Sequence, residues 1–334
     1  MQTFALPMLI ACLVLVQSIA QTRFVDDGNR GVALPARVTR VMAAGAPAEV
    51  LLYTLAPEML VGRNRLPDAA AIEFCPPAFR TPVLIRQLPE VDNPDADAEL
   101  LALRPDVYVD YGTVDSDYIA AVDAVQKRTG ITGVILDGEL RRVPETYRRF
   151  GAALGVSSRG ERLAAAADRV LTRYRGILAR SAPRVYLACS ADGFSPCLAD
   201  ERSGEQLAWL GGTNVAGMRA SSPRRPLTIE EITAMRPQVI VVSGAGAAAR
   251  LRANPAWQGV EAVKAGRVHE WPAVPYNWGA RPPSVNRIPG LMWLAYVAAG
   301  RAFDAAFRDD VRGFFREFYH VELTEPQFQS LLGR

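Results

Sequence analysis

The 334-residue chain has only two histidines, His269 and His320, and four cysteines, none of them in a C-x-x-C pair. Zinc, manganese and nickel centres draw on imidazole or thiolate in number, so a bare transition-metal site is not expected. The missing C-x-x-C also argues against a zinc ribbon and a thioredoxin-type redox site. Nor is there an excess of one charge: 38 Lys and Arg stand against 35 Asp and Glu, a formal +3 with both signs interspersed. That balance leaves no extended basic surface suited to nucleic acid. No G-x-S-x-G is present, and neither histidine has an evident Ser or Asp partner in the sequence, which disfavours a hydrolase.

Long apolar runs are almost as scarce. One spans Phe4 to Val16, and small residues at Ser18 and Ala20 form an A-x-A-like cleavage site before Gln21. This reads as a secretory signal over residues 1–20, although no Lys or Arg precedes the run. It is short for a bilayer span, which takes about 20 residues. Leu9 to Cys12 resembles a lipoprotein cleavage box, but it lies inside the run, where lipidation at Cys12 is poorly placed. The roughly 310 residues that follow are long for one hydrophobic core and comfortable for two domains.

What the chain does have is a repeat. Residues 99–112 (ELLALRPDVYVDYG) set over residues 231–244 (EITAMRPQVIVVSG) with seven identities. Each copy reads as a short helix stopped at Arg-Pro, then a β-branched run and a Gly turn, because proline lacks an amide proton and restricts its predecessor. Two copies predict two α/β lobes facing each other across a cleft. Around the first copy a hairpin is expected over 24–35, strands over 40–44, 59–63, 107–111 and 133–136, and helices over 48–55 and 117–129. From Ser158 to Ala179 runs the longest helical pattern, with Leu163, Val170, Leu171, Tyr174 and Leu178 near helical spacing. A helix of that length reaches about 33 Å and can bridge two lobes stiffly. The second lobe restarts at Arg184, repeats the helix and strand, and continues through 267–271, a Pro-rich stretch and helices near the C-terminus. The expected organisation is a lobe over 21–155, an inter-lobe helix over 156–181 and a second lobe over 182–334.

Three cysteines remain after the signal. Cys189 and Cys197 flank a segment rich in turn formers and are candidates to close a small loop in an oxidising compartment. Cys75, before Pro76 and Pro77, reads as a buried, inert thiol.

Several segments together carry a family resemblance. They are Asp26-Asp-Gly with Leu34-Pro35 and Arg40-Val, Leu103-Arg-Pro-Asp-Val107, Arg184-Val-Tyr leading to Asp192-Gly193, and Gly211-Gly-Thr-Asn-Val215. Ile229 to Pro237, and Trp257 with Lys264-Ala-Gly-Arg-Val268, complete the set. In this order and spacing the chain resembles the periplasmic substrate-binding proteins of ABC importers for iron-siderophores, haem and vitamin B12. The resemblance implies two Rossmann-like α/β lobes with mainly parallel sheets, joined by a single long α-helix. It implies a binding protein, not an enzyme, without a cofactor, acting as a monomer with an ABC permease and its ATPase. A ferric-siderophore-type metal chelate is the expected ligand, with molybdate, tungstate, haem and a corrinoid as alternatives. In that family each lobe offers an acidic residue to the permease. The second-lobe position falls on Glu230, and the first-lobe position is Ala98, beside Asp97 and Glu99, either of which can substitute.

Ligand contacts are expected from loops after the strands: Arg63, Arg65, Tyr111, Thr113, Asp192, Ser243, Tyr276, Trp278 and Arg281. Tyr276 and Trp278 offer flat aromatic surface, and Arg281 a planar fork for carboxylate or oxyanion. Tyr111 and Tyr276 are also haem-ligand candidates. A rival reading comes from Gly244, Gly246 and Ala249, a G-x-G-x-x-A after a strand, which is the dinucleotide-binding pattern of a secreted NAD-type enzyme, with Glu261 or Glu270 as the ribose acid.

Overall fold

In a computed structural model the described residues are 21–64, 67–80, 94–218 and 225–333. The signal segment with Cys12, and Arg65, lie outside them. The first half opens on an antiparallel hairpin, β1 (Gln21–Val25) with β2 (Gly31–Pro35). Its turn is tied down by charge: buried Asp26 accepts from Arg30, while Asp27 accepts from Arg142 and Arg149. Then come β3 (Val41–Ala43), α1 (Ala46–Leu55), α2 (Ala69–Ile72), α3 (Pro94–Leu103), β4 (Val107–Gly112), α4 (Ser116–Thr129), β5 (Thr132–Asp137) and α5 (Val143–Ala153). The strands form a parallel sheet in the order β3-β4-β5. The strand expected over 59–63 does not form. Pro57–Met59 is a 3-10 turn, and only Leu60 bridges to Val41, so the chain leaves the sheet and Arg63 turns inward.

After α6 (Ser157–Tyr174) the second half supplies β6 (Arg184–Ala188), α7 (Glu205–Leu210), β7 (Thr213–Asn214), α8 (Ile229–Ala234), β8 (Val239–Val242), α9 (Ala247–Ala253), α10 (Glu261–Lys264) and β9 (Val268–Glu270). Its sheet is also parallel, ordered β7-β6-β8-β9. Every residue of β8 is buried, as expected when helices cover both faces of a parallel sheet.

The repeat recurs in atomic detail. Arg104 and Arg236, the residues before the two prolines, both sit at φ 47°, a left-handed conformation that disfavours a side chain. In each copy an arginine from the neighbouring strand stabilises the turn. Arg40 donates to the carbonyls of Leu103 and Arg104, and Arg184 to those of Met235 and Arg236. A cation on the last carbonyls of a helix satisfies acceptors that have no partner within it.

The long helix α6 is shorter than its sequence pattern, ending at Tyr174 before Gly176 takes a positive φ. It packs closely on α5: a Cβ at Gly160 would lie 2.5 Å from the Tyr147 carbonyl oxygen, so that crossing needs glycine. The chain ends in α11 (Arg287–Ala299), α12 (Ala305–Phe318) and α13 (Glu325–Leu331). These helices return across α6 to the first half, where the Tyr53 hydroxyl donates to the Tyr319 carbonyl at 2.8 Å and Phe74 packs on Phe315. One large hydrophobic core therefore draws on both halves. Among the described residues no helix is long and apolar enough to cross a membrane.

His269 in β9 gives a pH prediction. Desolvation, then Arg267 and Arg252, lower its pKa from 6.5 to about 4. The unfolded chain binds the proton more readily, so stability is expected to fall as pH drops from 6.5 toward 4. Urea unfolding at several pH values checks this, and His269→Gln should flatten that part of the profile.

Candidate functional site

A cavity of about 360 Å³ opens between the halves. The first half contributes Ala46, Glu49, Arg63 and Pro67, the second Pro275, Tyr276 and the run from Ala280 to Pro283. Ala46 brings the start of α1 to the wall, and Gly45 before it supplies no side-chain cap. Arg63 is almost wholly buried, and its fork is committed. It donates to Glu49 at 2.8 Å, to the Phe79 carbonyl at 3.2 Å and to the Tyr276 hydroxyl at 2.8 Å. Burial alone would depress its pKa, but Tyr276 and Glu49 outweigh that and hold it above the usual arginine range. Arg63 thus braces the cavity across the two halves. Arg281 is different: its side chain is exposed and has no ion-pair or hydrogen-bond partner among the described residues. It is the cation left for a ligand.

A second cavity, of about 460 Å³, is lined by Thr113, the run from Asp200 to Ser203, Glu205, Ala280 and Pro283. Its base is an ionic network that spans the halves. The Glu205 carboxylate accepts from Arg202, from Arg287 and from the Leu140 amide. Arg202 also donates to Asp137 at 2.8 Å, and fully buried Arg287 donates to the Gly138 and Ser284 carbonyls.

The structure brings Arg63, Tyr276, Arg281 and Thr113 to these two cavities and separates the other candidates from them. Tyr111 and Trp278 are core residues, not cleft walls. Tyr111 is 1% exposed, and burial pushes its pKa up to about 12. Trp278 is 0% exposed and packs near Phe315, so its ring offers no surface to a ligand. Asp192 is exposed but used locally, accepting from the Ser190 hydroxyl and the Phe194 amide, with the Ser190 bond first in holding its pKa low. It lies in the loop closed by the Cys189–Cys197 disulfide, and Cys75 is a buried free thiol. Ser243 is half-buried and lines neither cavity. Arg65 cannot be placed among the described residues.

The glycine loop is also occupied by the chain itself. The Gly246 and Ala248 amides donate to the Glu270 carboxylate, at 3.1 and 3.4 Å, where the dinucleotide reading would put a pyrophosphate. Glu270, named above as a ribose acid, is therefore the loop's own anion, and the NAD-type reading fails. Glu230 stands exposed in the first turn of α8, without a side-chain partner among the described residues, while neighbouring Glu231 forms a capping box and pairs with Arg225. Ala98 is exposed and Glu99 half-buried on α3. Sequence reasoning missed Glu49, Arg202, Glu205 and Arg287, whose partners lie far off in sequence.

Two parallel-sheet halves with cavities between them define a two-lobed solute-binding protein. The family model described as periplasmic binding protein matches residues 86–275, and the chain belongs to that family, whose members bind solutes for ABC transporters and are not enzymes. Comparison with the curated proteins returns no match. Among solved structures, an ABC transporter solute binding protein from Sulfurospirillum deleyianum is similar at TM-score 0.83 and 23% identity, over 93% of this chain and 99% of that one. The molybdate periplasmic binding protein MolA of Haemophilus influenzae, bound to molybdate, aligns at TM-score 0.68 and 19% identity, over 91% and 99%. The TroA-like periplasmic binding protein FepB of Veillonella parvula aligns at 0.67 and 18%, over 90% and 97%.

Proposed function

We propose that this protein is the exported substrate-binding component of an ABC importer, with residues 1–20 as its signal, and that it captures an anionic, ferric-siderophore-type metal chelate between lobes spanning 21–155 and 182–334. The observation that carries the reading is Arg281, an uncommitted guanidinium at a cavity walled by both halves. A planar cation of this kind binds carboxylate or oxyanion by two parallel bonds. Exposed Glu230, with Glu99 on α3, would meet the permease, which passes the ligand on as the ATPase turns over.

A second reading, a tetrahedral oxyanion such as molybdate or tungstate, is supported by the start of α1 at Ala46, because the amino end of a helix favours negative charge. The molybdate in the MolA structure suits it too. Haem is less well served, since Tyr111 is buried and the Tyr276 hydroxyl is engaged by Arg63.

Calorimetric titration of the mature chain against ferric chelates, molybdate, tungstate, haem and corrinoids tests the reading. A ferric chelate should bind without turnover, and Arg281→Ala should weaken it by about 1.5 to 3 kcal/mol, the scale of a charge-assisted bond. No binding by any member of the panel would sink the importer reading. Unchanged affinity in Arg281→Ala would reassign the guanidinium to structure.

A further inference from the structure

The two cavities between the halves are not independent, because Ala280 and Pro283 line both. They are chambers of one cleft, and they differ in chemistry. The first presents the exposed Arg281 fork, with Arg63 already saturated by Glu49, Phe79 and Tyr276. The second presents acceptors: the carboxylates of Asp200, Glu201 and Glu205 and the hydroxyls of Ser203 and Thr113. Its single cation, Arg202, donates to Glu205, Asp137 and the Gly112 carbonyl. An ionised carboxylate has about four lone-pair directions, so the bonds these groups already accept leave capacity for a donor.

From this asymmetry we infer that the ligand spans both chambers, with an anionic face at Arg281 and an arm ending in hydrogen-bond donors, an ammonium foremost, in the chamber of Asp200, Glu201 and Thr113. The inference rests on the importer reading and narrows its substrate class to chelates with a donor-bearing arm. Size agrees. Ligand pockets commonly hold about 300 to 1,000 Å³, and a lone tetrahedral oxyanion at Arg281 would leave the second chamber to water.

The test compares two probes on the full mature chain: a linear ferric tris-hydroxamate with a free terminal ammonium, and the same chelate N-acetylated at that amine. By calorimetry the ammonium form should bind about tenfold tighter, the scale of one charge-assisted bond. Thr113→Trp, which fills the second chamber, and Asp200→Asn, which removes a charge with little change of shape, should each cut that ratio by about fivefold or more. Equal affinity of the two chelates in the wild type overturns the two-chamber assignment while leaving the importer reading intact, and so does a ratio that survives both variants. Failure of every chelate and oxyanion to bind overturns both.

Discussion

Replacing Glu205 with alanine is expected to lower the stability of the fold by about 3 to 5 kcal/mol, the usual cost of leaving a buried charge without its partner. The carboxylate holds three donors from three parts of the chain: Arg202, Arg287 on α11 and the Leu140 amide beyond β5. Arg287 has no solvent-exposed side chain with which to recover hydration. Without Glu205 it keeps only carbonyl oxygens, those of Gly138, Ser284 and Arg202. Glu205→Gln retains the shape and one acceptor oxygen, so it should lose less. Equilibrium urea unfolding measures both variants, and a loss below about 1 kcal/mol for the alanine would mean that the carbonyls alone hold the guanidinium.

Gly290→Ala is expected to cost about 3 kcal/mol, at the upper end for overpacking in a close-packed interior. A Cβ at Gly290 would overlap the Trp278 carbonyl oxygen and the Gln206 side-chain nitrogen. Gln206 donates to that carbonyl and to the Arg287 carbonyl, so the intruding methyl would also separate a buried donor from its acceptors. Neither obstacle is a flexible side-chain end: one is backbone, and the other is an amide held at 0% exposure. Gly313→Ala on α12 is the control. Its Cβ would meet nothing within 4 Å, so alanine's better helix propensity should raise stability by about 0.5 to 1 kcal/mol. Thermal unfolding of the two variants should move in opposite directions, and a Gly290→Ala midpoint equal to wild type would refute the packing argument.

The alternation of strands and helices was legible in the sequence because parallel strands are apolar runs and their connecting helices carry stop signals, as at Arg104-Pro105 and Arg236-Pro237. That same burial hid the direction of individual side chains. With both faces of β4 covered, Val107, Tyr108, Val109 and Tyr111 are all buried, and no period of two marks Tyr111 as a core residue. Trp278 misled for a related reason, since a Pro-rich segment gives no periodicity from which to read an inward ring. The ion pairs that brace the cleft were out of reach because Glu49 and Arg63 are separated by an irregular stretch, and Glu205 and Arg287 by most of the second half. Arg281 was identifiable by chemistry alone, as a guanidinium among prolines. Only the structure distinguishes it from Arg63, which is equally basic but already saturated.

The cross-bracing of the halves by α6, the returning C-terminal helices and the Glu205 network carries a kinetic consequence. A cleft framed this way offers nearly the same mouth to every passing solute, so encounter rates should differ little among ligands of similar charge. Choice between them then falls to residence time: the solute that satisfies Arg281 stays, and the others leave before a transporter is met.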